Sequence, residues 1–344
     1  MKLATYQDGS RDGQLVVVSR DLASAHYASG IASRLQAVLD DWAFLAPQLQ
    51  DLFDDLNAGR TRHAFAFDAA RCMAPLPRAY GHAEGAAYAD PAPAPGPDSP
   101  APAVPRLRHL GGGELRGAQD AVTLPAGAWE VDFEAGLAAI TGDIPAGCPP
   151  GRAVDGVRLL MLAQGVALWP AAGQDNAAFH ARPATAFSPV AVTPDECGAA
   201  WAGGRLTGTL QTVWNGRKVG LCDSGADMRL SFGELIAQMA QTTRLRAGTI
   251  VGTGPVRNAA VPPDDAAPVR RGRKASAEVR LDWPRGYGAI ADRRAMEALQ
   301  DGVPQTGFVQ PHDTLRIEMK GRDGQSIFGA IAQEFVRAHD GTAL

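Results

Sequence analysis

The sequence predicts an α+β, β-rich fold on three observations. Lys2–Tyr6 and Gln14–Ser19 alternate as short half-buried strands do. Between Ile31 and Leu56, the apolar residues Leu35, Leu39, Trp42, Leu45, Leu49 and Phe53 recur at helical spacing. From Asp132 to Asp143 the run DFEAGLAAITGD reads as a buried strand carrying an inward carboxylate, Glu134.

In chain order, the two opening strands lead into an amphipathic helix or helix pair. Pro47 is expected to mark its break, because proline lacks an amide donor and crowds the preceding turn. The apolar stripe of this segment is read as packing, and residues 1–75 as a small N-terminal domain ahead of a larger domain over 76–344. The Pro/Ala-rich stretch over residues 90–105, PAPAPGPDSPAPAVP, favours extended conformations and reads as a linker or loop. Residues 257–283 read as an insertion-like basic loop containing Arg270, Arg271, Arg273 and Lys274. It lacks interleaved aromatics and acidic residues precede it, so it is read as solvated rather than as a nucleic-acid site.

At 344 residues, with 33 basic and 37 acidic side chains, the chain can bury a substantial core and has no global pull towards nucleic acid or an anionic membrane. No apolar run approaches the roughly 20 residues that cross a bilayer, and MKLATYQDGSRDG lacks a signal-peptide stretch, so a cytoplasmic location is expected. Cys72, Cys148, Cys197 and Cys222 show no CxxC spacing and are read as reduced thiols.

Residues two apart on a strand share a face, so a Glu-x-Glu strand can place two carboxylates on one hard cation. Here the two positions hold Glu134 and Gly136, so the strand offers a single carboxylate. Seven further blocks lie in order along the chain: MKLATYQDGSRDGQLVVVSRDL, CMAPLPRAYG, DGVRLLML, RPATAFSPVAVTPDE, VWNGRKVG, FGELIAQMAQTTRLRAGTIVGTG and DTLRIEMKGRDGQSIFGAI. With these blocks the chain resembles the fumarylacetoacetate hydrolase family. The resemblance implies a small N-terminal β domain and a C-terminal domain of mixed, strongly curved β-sheet of β-roll type, commonly in a homodimer. It also implies a magnesium, manganese or calcium ion that chelates a 1,3-diketo acid or acylpyruvate while a base activates water for carbon–carbon cleavage.

Carried over residue by residue, the resemblance makes Glu84 and Glu134 the surviving metal ligands, with Gly136 and Gly165 at lost ligand positions. Gly165 is expected in a turn with Ala163 and Gln164, the nearest downstream carboxylate being Asp175. Pro91 stands where the family has its general base, and His82 or His109 are the candidate replacements. Arg182 takes the place of a lysine that steadies the substrate's negative charge, keeping the charge in a planar, forked form. Tyr88 and Gly254 are implied substrate contacts, while Pro255 replaces a hydroxyl donor. Asp292, in GYGAIADRR, is aligned with a strand-borne active-site glutamate.

Two functions compete on these residues. One is an impaired metal-dependent hydrolase of diketo acids, acting through Glu84, Glu134 and Arg182. The other is a non-catalytic binding or scaffolding protein of the same fold. The losses predict an empty or very weak metal site, because a hard cation gives up its hydration only to enough oxygen ligands.

Overall fold

The computed structural model describes residues 1–88, 107–110, 114–127, 129–170, 181–259, 284 and 286–338. Asp175, Pro91, the Pro/Ala-rich stretch and the Arg270–Lys274 cluster lie outside the described residues.

Among the described residues, twelve strands join in one mixed sheet. Its path runs from the N-terminal strands through Lys2–Tyr6 to Ala191–Val192, then Val157–Pro170, Trp129–Thr141, Thr249–Pro255, Gly81–Gly85 and Leu107–His109. The N-terminal segment is therefore stitched to the larger part by backbone pairing, Lys2 opposite Val192 and Leu3 opposite Ala191. A second sheet orders Arg217–Asp223, Thr209–Trp214, Thr314–Met319, Ile331–Arg337 and Val122–Leu124.

The two long central strands, Trp129–Thr141 and Val157–Pro170, explain where the site lies. They pair antiparallel along nearly their whole length. Because side chains alternate, one face collects Phe133, Leu137, Leu160 and Leu162 into the larger core. The other face carries Ala138, Ile140, Leu159 and Met161, which pack with the helical residues Leu35, Val38, Leu49 and Phe53. Further along the pair this second face continues into Glu134, Gly136, Ala163 and Gly165, so the candidate site is the unhelixed end of an apolar stripe.

Two expectations are corrected here. The helical segment divides at Asp41 into Leu35–Asp40 and Trp42–Asn57, and Pro47 lies inside the second helix. In its second turn a proline forfeits only the bond to the Ala43 carbonyl, near a helix start where carbonyls can tilt outward. The expected turn at Ala163–Gly165 is also absent: these residues are mid-strand, facing Gly136, Ala135 and Glu134 respectively.

Candidate active site

Two strands deliver the ionisable groups. Glu134 comes from Trp129–Thr141, and His82 and Glu84 lie two apart on Gly81–Gly85, hence on one face. Thr249–Pro255 lies between these strands, parallel to one and antiparallel to the other. The groups meet at an enclosed cavity of about 10 Å³ lined by His82, Glu84, Glu134, Gly136, Ala163, Gly165, Gly252 and Gly254, among others. That is room for roughly one water molecule, whereas small-molecule sites commonly measure about 300–1,000 Å³.

Glu84, Glu134 and Asp292 each meet an arginine. Arg182 Nη2 donates to Glu134 Oε1 at 2.6 Å, and the two side chains are only 9% and 5% exposed. Arg182 also donates to the Ala181 carbonyl at 3.0 Å, and its guanidinium lies 5.8 Å from the centre of the Trp169 ring. Arg108, directly opposite Glu84 on the neighbouring strand, brings Nε within 3.6 Å of Glu84 Oε1. Arg257 Nε donates to Asp292 Oδ2 at 2.8 Å.

These surroundings set the protonation states. Burial pushes the Glu84 carboxyl up to about 7, and the Glu134 charge adds to that rise against the opposing pull of Arg108, Arg182 and Arg257. Burial lowers His82 to about 4, so its imidazole is neutral near pH 7. Its place beside Glu84 suits a replacement base, but its weakened basicity makes it a poor proton acceptor. Burial also pushes the thiols of Cys72, Cys197 and Cys222 up to about 12, which excludes them as thiolate nucleophiles at neutral pH.

The two glycines expected at ligand positions differ. A side chain at Gly136 would press its Cβ into the Gly254 carbonyl oxygen. The strand opposite shifts register between Gly252 and Pro255, and Gly254, at φ 70°, carries the bulge. Thr253 fixes it, its hydroxyl accepting from Leu137 N at 3.1 Å and donating to the Gly254 carbonyl at 2.8 Å. The volume of a second glutamate is thus occupied by backbone. At Gly165 an added Cβ would meet Glu134 Cβ and Oε2 at 3.5 Å, ordinary contact.

The remaining expected residues are less concentrated. Gly254 lines the cavity, but through its bulged backbone. Tyr88 does not line it: its buried hydroxyl donates to the Ser224 carbonyl at 2.9 Å. Asp292 lies not on a strand but in the first turn of the helix Ile290–Asp301. His109 is exposed and opposite Ala83, so pleat alternation points it away from the face that carries His82 and Glu84. Sequence reading missed Asp132, which accepts from Ile290 N at 2.7 Å, Ala291 N at 2.9 Å and Trp169 Nε1 at 3.3 Å. It also missed Arg108 and Arg257, whose roles depend on sheet neighbours rather than local pattern.

The architecture and site define a strand-rich hydrolase-type fold, and two family descriptions match it along the chain. Fumarylacetoacetase N-terminal domain 2 matches residues 1–78, and fumarylacetoacetate (FAA) hydrolase C-terminal matches residues 81–336. The chain belongs to the fumarylacetoacetate hydrolase family.

Among solved structures, maleylpyruvate hydrolase from Sphingobium sp. SYK-6, in complex with manganese(II) and pyruvate, superposes with a TM-score of 0.63 at 17% identity. Fumarylacetoacetate hydrolase from Exiguobacterium antarcticum gives 0.63 at 17%, and a putative HpcE protein from Mycobacterium smegmatis 0.62 at 20%. Each comparison covers 98% of this chain and 100% of the other. No curated protein matches the chain.

A divalent ion of the kind present in the Sphingobium structure does not fit the side chains present here. Glu134 Oε1 is already engaged by a guanidinium, and Glu84 is surrounded by the charges of three arginines. Among the described residues no three His, Cys, Asp or Glu side chains form a group suited to a metal. Like charge from these guanidiniums opposes the entry of a divalent ion while they stay in place.

Proposed function

We propose that this chain is a non-hydrolytic member of its family, a binding or scaffolding protein whose ancestral metal-dependent site is closed by internal ion pairs. The observation that carries this reading is the buried Arg182–Glu134 pair at 2.6 Å, with the Gly254 carbonyl filling the space beside Gly136. Support also comes from the about 10 Å³ cavity, far too small for a diketo acid, and from a neutral His82 of lowered basicity.

The second reading is a residual magnesium- or manganese-dependent hydrolase of acylpyruvate or fumarylacetoacetate-type substrates. It is favoured by one feature, the survival of Glu84, Glu134 and His82 around a common cavity. Purified protein, shown folded by circular dichroism, is incubated with these substrates and added magnesium or manganese while the diketo absorbance is followed beside Glu134→Gln. The expected result is no metal-dependent loss of absorbance. Turnover by the wild type that disappears in Glu134→Gln would establish the hydrolase instead.

A further inference from the structure

We propose that Arg182 is the resident cation of this site, its guanidinium neutralising Glu134 in place of a divalent ion and so shutting a latent divalent-cation site. The proposal deepens the non-hydrolytic reading and rests on it.

The chain itself delivers the guanidinium. Arg182 lies just ahead of the strand Ala184–Phe187, which pairs with the Val157–Pro170 strand so that Thr185 faces Gly165. Gly165 in turn faces Glu134 across the central pair. The arginine therefore approaches Glu134 past a residue with no side chain, and a Cβ there would already touch Glu134 Oε2 at 3.5 Å. Trp169, four residues along the same strand from Gly165, supplies a ring face beside the cation at 5.8 Å.

A carboxylate this deeply buried requires a counter-charge. Arginine supplies one that no accessible pH removes, and it does so without competing for a hydration shell as a small divalent ion must. Glu84, Glu134 and Asp292 each face an arginine, Arg108, Arg182 and Arg257 respectively. Two oxygens remain without hydrogen-bond partners, Glu84 Oε1 and Glu134 Oε2. With Arg182 removed, these two carboxylates are the hard oxygen donors a manganese ion would find.

The test uses manganese(II) alone as the probe, on full-length wild type, Arg182→Ala, Arg182→Met and Arg182→Ala/Glu134→Gln, with thermal unfolding as readout. Manganese should leave the wild-type Tm unchanged and raise that of Arg182→Ala and Arg182→Met by at least ~2 °C at saturating metal. The double variant should show no such rise. Where a single variant is recovered unfolded, refolding with and without manganese decides: recovery only with the metal supports the proposal, and no recovery overturns it. An equal shift in wild type and Arg182→Ala would show that the guanidinium excludes nothing. No shift in folded Arg182→Ala or Arg182→Met would show that no cation site lies beneath it. Neither outcome restores a hydrolase, which depends on wild-type turnover; an inert wild type with an unresponsive Arg182→Ala removes this inference alone.

Discussion

Asp132 and Glu134 sit two residues apart on one strand, both buried, and they are satisfied in opposite ways. Asp132 takes two backbone amides at the start of the Ile290–Asp301 helix together with the Trp169 indole, so its partners are parts of the scaffold. Glu134 takes one guanidinium and keeps Oε2 without a hydrogen bond. A carboxylate with fully assigned donors belongs to the architecture. One held by a single long side chain, in a wall where glycine stands at the adjoining positions, fits the proposed closed site. The comparison teaches that burial alone does not separate structural from site carboxylates, whereas the origin of their donors does.

The largest expected effect attacks the Glu134 side of this contrast. Glu134→Ala leaves the Arg182 guanidinium buried without a counterion and should cost about 3–5 kcal/mol in urea unfolding. Replacing both partners by methionine should recover most of that loss, because no unpaired charge then remains. A double variant as unstable as the sum of the single variants would mean that the pair is not a closed unit.

Next in size is the pH dependence set by Glu84. Its carboxyl lies near 7 in the folded chain against an ordinary value of 4.5, so the folded state binds the proton more tightly. The stability associated with the neutral form is complete below pH 4.5 and is lost as pH rises from 4.5 to about 7. His82 has the opposite sign: its contribution is present above pH 6.5 and lost as pH falls from 6.5 towards about 4. Glu84→Gln keeps a neutral side chain of similar shape, so its stability relative to wild type should climb across pH 4.5–7 and then level off. The gain is on the order of 3 kcal/mol. A difference that does not change with pH would show that Glu84 stays ionised, paired with Arg108.

Much of the fold was legible because backbone periodicity is local. The alternation in Lys2–Tyr6, the apolar run around Glu134 and the helical stripe through Leu49 and Phe53 each report their own element. Glycine at 136, two residues from Glu134, was legible from the same local spacing, while its reading as a lost ligand came from the family resemblance. What the sequence could not disclose was how that loss was filled, because the Gly254 carbonyl arrives from a strand more than a hundred residues away through a bulge. Asp132 was missed because its amides lie 158 and 159 residues downstream. Asp292 was misplaced because it was assigned by alignment with a strand, whereas it stands in the first turn of a helix. Pro47 was overweighted because a proline early in a helix forfeits little.

The two glycines offer a finer test of the closed site. Gly136→Ala forces the Gly254 backbone to move and should cost about 1–3 kcal/mol, the range for overpacking a tight interior. Gly165→Ala makes only ordinary contacts with Glu134, so it should change stability by less than about 1 kcal/mol. Equal losses in thermal unfolding would indicate that the bulge yields freely and that the space beside Gly136 is not truly filled.

The smallest effect concerns the scaffold carboxylate. Asp132→Asn keeps one oxygen acceptor for the Ile290 or Ala291 amide and removes the charge that favours a helix start, so about 0.5–1 kcal/mol should be lost. Asp132→Ala removes both acceptors and should cost about 1–2 kcal/mol. Hydrogen exchange separates the two carboxylates more sharply than either number. Loss of Asp132 should expose the first amides of the Ile290–Asp301 helix, whereas loss of Glu134 should leave them protected and loosen the segment around Arg182. Equal deprotection of the helix start by both variants would merge the two regions into one cooperative unit and remove the distinction between architecture and closed site.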